Sequence, residues 1–265
     1  MVVAITGASD GIGRATAERL ARGGAAVVLT ARRAELLAEV ADGITRSGGR
    51  ALAITADVTD PAAMERVVAS AISHFGRLDV MICNAGIGFH DRLSETSADA
   101  VDRLVRINLI GTINAARAAA TVFQQQGSGH VIAISSVVAL RGIPGSSVYS
   151  ATKAAQKAFI ESLRSEWGNS NLKASVVFPI STRTGFRAAM ARDFGQSVTG
   201  LGPRQDPDVV AAAIERCIKS PRPEVYPYRL AWWLLFANTV APGLVDRFMR
   251  RYERRPTSSA PGTES

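Results

Sequence analysis

Tyr149 and Lys153 stand four residues apart inside the segment SSVYSATKAA. On a helix that spacing stacks a phenol beside an ammonium on one face. A neighbouring lysine favours the phenolate, so the pair is expected to draw the tyrosine below its ordinary pKa of about 10. A phenol tuned in this way can pass a proton near neutral pH, as a carbonyl requires when it gains a hydride. Alone, a Tyr and a Lys at this spacing are more often a surface pair. Asn108 and Ser136 lie upstream, and a nucleotide site would give all four a purpose.

Such a site begins the chain. The apolar run VVAIT is followed directly by Thr6-Gly7-Ala8-Ser9-Asp10-Gly11-Ile12-Gly13, which opens a helix. Glycines let the backbone turn tightly against a pyrophosphate, and the helix start offers free N–H groups and a positive dipole end. The strand–turn–helix context predicts dinucleotide binding, with a plain tight turn as the bland alternative. The end of the second strand, VVLTARR, carries Ala31, Arg32 and Arg33 where an acidic residue would accept from a ribose 2′-hydroxyl. Guanidinium groups suit a 2′-phosphate instead, so NADP is expected over NAD, with Arg32 as the main contact. The rival view is that both arginines merely begin a solvated helix.

The elements that must position these groups alternate from the start. Strands are expected at 2–6, 26–31, 51–55, 79–83, 130–135 and 173–178, and helices at 12–23, 33–47, 61–75, 99–125, 147–168 and 207–219. AAVVLT, HVIAIS and KASVVF are unbroken apolar runs rather than alternating ones, so both sheet faces should be covered. The expected fold class is α/β, a Rossmann-type doubly wound parallel sheet with helices on both faces. The segment 181–206, rich in Gly, Arg, Thr and Pro, reads as a mobile connection over the site.

The glycine spacing is TGxxxGxG, and here the chain resembles the classical short-chain dehydrogenase/reductase family over roughly residues 2–219. The resemblance is carried by TGASDGIG, Asp57-Val58, Asn84-Ala85-Gly86, Asn108, and Ser136 with Tyr149-x-x-x-Lys153. It implies that Tyr149 is the general acid or base and that Lys153 binds the nicotinamide ribose. Ser136 would hold the substrate oxygen, in preference to Ser135. Asn108 would anchor a water linking Lys153 to solvent. Gly7, Ser9, Asp10, Gly11, Ile12 and Gly13 would meet the pyrophosphate side of the cofactor. The resemblance further implies that Asp57 bonds the adenine, Val58 adds a backbone contact, and Asn84, Ala85 and Gly86 line the adenosine-ribose side. Pro179, Thr182 and Thr184 match the element after strand six, where Ile180 departs from the usual Gly. Asp10 stands where some NADP-using relatives carry a basic residue.

Composition bounds the rest. The chain has 265 residues, 47% of them apolar, and a net charge of +8. The charge is dispersed, with no basic stretch interleaved with aromatics, so nucleic-acid binding is not expected. Cys83 and Cys217 lie in apolar contexts and suggest a reduced compartment. A strand beginning at residue 2 leaves no room for a signal peptide, so a cytoplasmic protein is expected. His74, His90 and His130 are too dispersed for a metal, and His90 reads as a solvated loop histidine. The resemblance suggests a homodimer or homotetramer.

Three units follow: a dinucleotide-binding domain at 1–228, a helical extension at 229–255, and a disordered tail at 256–265. Residues 230–245 carry no charge and include Trp232, Trp233, Leu234, Leu235 and Phe236. Arg247, Arg250, Arg251, Arg254 and Arg255 follow. Too short to span a bilayer, this segment could cover the substrate cleft, pack in a dimer, or lie on an anionic membrane as a peripheral contact, cover or dimer packing being favoured. Each option points to an apolar substrate. The leading function is NADP(H)-dependent hydride transfer between nicotinamide and a carbonyl or secondary alcohol. The alternatives are an NAD-dependent alcohol dehydrogenase of the same family and a non-catalytic cofactor-sensing protein.

Overall fold

The computed structural model describes residues 1–168, 170–195, 204–228 and 230–250. Among them seven strands form one parallel sheet: β1 (Val2–Thr6), β2 (Ala26–Ala31), β3 (Arg50–Thr55), β4 (Val80–Cys83), β5 (Gly129–Ile134), β6 (Leu172–Val177) and β7 (Glu224–Val225). Their order is β3-β2-β1-β4-β5-β6-β7, so the winding direction reverses between β1 and β4. Ligands of doubly wound sheets sit at the carboxyl ends of the strands beside such a reversal.

Alternate residues of each central strand serve opposite layers, which is why the runs are continuously apolar. Val2 and Ala4 join one buried cluster with Met64, Ala115 and Ile160. Val3 and Ile5 join the other with Leu20, Leu37 and Ile214. The first layer comprises α3 (Pro61–Phe75), α5 (Gly111–Gln126) and α6 (Ser147–Trp167), and the second α1 (Gly11–Arg22), α2 (Ala34–Arg46) and α8 (Pro207–Lys219). Each fully buried Leu, Ile or Met contributes about 1.5–3 kcal/mol, so the two layers hold the sheet rigid beneath the site.

Two expectations are corrected. The helix expected at 99–125 is interrupted: α4 (Ala98–Leu104) leads into a π-helical stretch, Val105–Ile110, before α5 resumes. Asn108 sits in this stretch, and its buried amide bonds outside its own helix. The segment 181–206 is not simply a connection, because α7 (Phe186–Phe194) forms within it. Phe186 and Met190, one turn apart, give this helix an apolar face to pack. The extension contains α9 (Ala231–Val240) and α10 (Pro242–Arg250). The expected disordered tail at 256–265, the expected contacts of Arg251, Arg254 and Arg255, and residues 196–203 of the expected connection lie outside the described residues. So do the side chains of Trp232, Leu234, Leu235 and Arg250. No helix among the described residues is long and apolar enough to cross a membrane.

His130 illustrates what burial costs. On β5 it meets Ser175 Oγ on β6 at 2.8 Å, and burial, with Lys173 nearby, lowers its pKa to about 4. The unfolded chain binds this proton below about pH 6.5, so stability is complete above that value and is lost as pH falls toward 4. Between pH 7 and 5 the wild type should lose about 2 kcal/mol more than His130→Gln, read as a larger drop in urea midpoint. Parallel losses in the two proteins would refute this account.

Candidate active site

The β1–α1 turn is built for close approach. Gly7 and Gly11 adopt left-handed φ values of 66° and 56°. A Cβ at Gly13 would overlap the Gly7 carbonyl oxygen, so α1 can begin inside the turn only because Gly13 has none. Asp10 caps α1 through a 2.6 Å bond from Gly11 N to Oδ1. Ile12 and Gly13 occupy the first turn of α1, where backbone N–H groups point out of the helix. Asn84 straps the turn to β4, its Nδ2 donating to Thr6 O at 2.9 Å and to Gly7 O at 3.2 Å. Ala85 N donates to Thr6 Oγ1 at 3.0 Å.

Arg32 and Arg33 flank the same turn, but not equally. Arg33 Nη2 donates to Ser9 Oγ at 3.1 Å and lies 3.7 Å from Asp10 Oδ2. Arg32 Nη1 stands 4.0 Å from Asp57 Oδ2. The residue expected as the lesser contact thus reaches the turn. Asp57 accepts from Thr59 N and Oγ1, each at 2.9 Å, and the Val58 carbonyl accepts from Asn114 Nδ2 at 3.0 Å. Pro179 O accepts from Val137 N at 3.1 Å, which ties the element after β6 to the loop after β5. Thr184 lies against Gly11 and accepts from Phe186 N at 3.2 Å. Thr182 faces elsewhere: its hydroxyl donates to Ile180 O at 2.9 Å and lies 3.4 Å from Gln205 Nε2. The donor set (a helix start, a hydroxyl and two guanidiniums) fits the phosphates of a dinucleotide.

The four residues of the second set converge across 46 positions of sequence. Ser136 follows β5, and its hydroxyl bonds that of Tyr149 on α6. Lys153 Nζ lies 5.8 Å from the Tyr149 ring centre and donates to Ile134 O at 3.0 Å and to Gln156 Oε1 at 3.1 Å. Gly86 stands beside it, where a Cβ would lie 3.5 Å from Nζ. Ser135 turns inward, its hydroxyl donating to Lys153 O at 2.8 Å. Asn108 spends its amide within the protein, accepting from Ile87 N at 2.8 Å and donating to Ile87 O at 3.0 Å and Thr152 Oγ1 at 3.1 Å.

The electrostatics depart from expectation. Burial raises Tyr149 to about 12, opposed only in part by the Ser136 hydrogen bond, and burial lowers Lys153 to about 7. Desolvation disfavours both charged forms and outweighs a lysine that is not in hydrogen-bond contact with the phenol. Tyr149 is therefore held as an acid through the neutral range.

An apolar wall faces this set. Phe186 stands 6.2 Å from the Tyr149 ring, and Phe89 meets Phe194 edge-on at 5.1 Å. Gly88 admits α7, because a Cβ there would collide with Phe186 and lie 2.7 Å from Met190 Sδ. His90 is not a solvated loop residue: its Nδ1 lies 2.9 Å from Ser146 Oγ, and its ring packs on Gly145. Arg141 of the loop after Ser136 forms an ion pair with Asp246 of α10, which brings the extension to the rim. No group of three or more His, Cys, Asp or Glu side chains among the described residues is arranged to hold a metal ion.

Sequence reasoning passed over Gln156, Phe186 and Met190. The first was detectable as an amide one turn beyond Lys153, the others as an i,i+4 apolar pair.

Several known proteins are similar to this chain. A family model described as short chain dehydrogenase matches residues 1–194. An uncharacterized oxidoreductase of Listeria innocua is 36% identical over 225 residues, covering 83% of this chain and 91% of the relative. Dehydrogenase/reductase SDR family member 7B of Mus musculus is 29% identical over 270 residues, covering 97% of this chain and 84% of the relative. An alcohol dehydrogenase from the archaeon Thermococcus sibiricus, solved with 5-hydroxy-NADP, is similar with a TM-score of 0.76 at 29% identity, covering 85% of this chain and 94% of that one.

Proposed function

The chain belongs to the short-chain dehydrogenase family and is an NAD(P)-dependent oxidoreductase of CH–OH groups; from that premise we propose that it uses NADP(H) to interconvert an apolar ketone and its secondary alcohol, with Tyr149 as the proton donor and acceptor. The observation that carries the reading is the meeting of Ser136, Tyr149 and Lys153 beside Gly86, next to the reversal of the sheet.

The bound cofactor supplies the hydride. The residues of the chain do the rest. Ser136 and Tyr149 hydroxyls point at the substrate oxygen, fix its position and stabilise the charge that grows on it. Tyr149, kept protonated by burial, delivers its proton to that oxygen in reduction and recovers it in oxidation. Lys153 has three N–H donors, two of them taken by Ile134 O and Gln156 Oε1, which leaves one for a ribose hydroxyl. Arg33 with Ser9, and Arg32 beside them, would hold the 2′-phosphate.

The wall of Phe89, Phe186, Met190 and Phe194 selects apolar substrates, and α10 closes its rim through Asp246. A series of ketones of growing apolar size, assayed by NADPH oxidation, should show kcat/KM rising about 4-fold per buried methylene, from about 0.8 kcal/mol each. Asp246→Ala should raise KM for the largest members most. Cofactor binding without turnover on any ketone or alcohol would favour the cofactor-sensing alternative.

A further inference from the structure

Gln156 is completely buried one turn after Lys153 on α6, so both side chains leave the same face of that helix. Its amide is used at both ends. Oε1 accepts from Lys153 Nζ at 3.1 Å, while Nε2 donates to Asn108 O and to Thr112 Oγ1, each at 2.7 Å. Thr112 Oγ1 in turn donates to Asn108 O at 2.8 Å, so it can only accept from Gln156. The amide orientation is therefore fixed by chemistry. Turned over, its NH₂ would face an ammonium and its oxygen would face a carbonyl. The Asn108 carbonyl receives both of these donors.

We propose that Gln156 is a positioning residue for the reaction, holding the Lys153 ammonium toward Tyr149 and the cofactor by bridging it to the carbonyl of Asn108. This rests on the roles proposed above for Tyr149 and Lys153. An amide does not pass protons as a water does, so Gln156 closes the rear of the site and directs the free N–H of Lys153 forward. Its carbonyl oxygen, together with Ile134 O, places two acceptors on Nζ and favours the charged amine against burial.

The groups around Lys153 make the contribution separable. Tyr149 faces it from α6, Ile134 O from β5, and Asn108 with Thr112 from the π-helical stretch and α5. Cys83 of β4 lies 3.7 Å from Thr112 O, with burial pushing its thiol up to about 12. Burial is the cause of the Lys153 shift, and no carboxylate contributes to it.

The test compares the pH dependence of kcat for ketone reduction in wild type, Gln156→Leu and Gln156→Glu. Removing an acceptor should move the basic limb of the profile down by about one unit in Gln156→Leu. Supplying a carboxylate should move it up by about one unit or more in Gln156→Glu. Opposite shifts with cofactor Kd changed by less than about 3-fold support the proposal, since a packing defect would not reverse sign with charge. A limb that stays fixed, or moves the same way in both variants, overturns it. If Gln156→Leu fails to fold, the direction of the Gln156→Glu shift decides alone. Full activity in Tyr149→Phe would instead overturn the underlying reading, so the two failures are distinguishable.

Discussion

Tyr149→Phe is expected to bind NADPH with a Kd within about 2-fold of wild type and to lose turnover by a factor of ~10²–10⁴, the range for a positioned general acid. The ring stays where it is, packed near Phe186, and only the hydroxyl bonded to Ser136 is removed. Losing that bond costs about 1 kcal/mol of stability, too little to unfold the domain. The prediction follows from a buried phenol whose pKa is raised rather than lowered. At pH 7 Tyr149 carries its proton, which suits reduction, and oxidation should improve as pH rises toward the phenol's titration. NADPH fluorescence titration with steady-state kinetics separates the two effects. Retained turnover would remove Tyr149 from the mechanism.

The double change Arg32→Ala, Arg33→Ala should lower kcat/KM for NADPH by ~10²–10³ while altering that for NADH by less than about 3-fold. Charge-assisted hydrogen bonds contribute about 1.5–3 kcal/mol each, and the 2′-phosphate is the only part of the cofactor that distinguishes the two. Arg33→Ala alone should account for the larger share, because Arg33 already touches Ser9 while Arg32 reaches toward Asp57. Asp10 does not oppose a phosphate there as its charge first suggests. Its carboxylate caps α1 and faces Arg33 at 3.7 Å. Equal use of NAD and NADP before and after the substitutions would refute the assignment.

The sheet was legible in the sequence because a doubly covered strand leaves an unmistakable apolar run, and all six strands expected before residue 180 match their observed bounds or lie within one residue of them. Two of them, expected at 130–135 and 173–178, are Gly129–Ile134 and Leu172–Val177, each displaced by one residue. The site was legible through glycines and through the Tyr149–Lys153 interval, both local patterns. What escaped depends on contacts distant in sequence. The π-helical stretch has the apolar periodicity of an ordinary helix, and the bonds from Asn108 to Ile87 and Thr152 that accompany it join residues distant in sequence. The Tyr149 shift reflects burial from several elements, which spacing does not encode. Helix α7 hid within a segment whose Gly, Arg and Thr content dominates its composition. Gln156 looked like one more polar residue in a helix with an exposed side.

The π-helical stretch has a consequence for how this site can change. Its Gly111 N–H reaches back five residues to Arg106 rather than four, so the segment accommodates one residue more than an α-helix would in the same length. Deleting a single residue from 105–110 would close this wide turn into an unbroken α-helix while its two flanks kept their register. The local backbone that presents Asn108 O to Gln156 would be lost with it. Point substitutions leave this frame intact, whereas a one-codon deletion would dismantle it in a single step. Length, more than composition, is therefore what this short segment must keep for the site to stand.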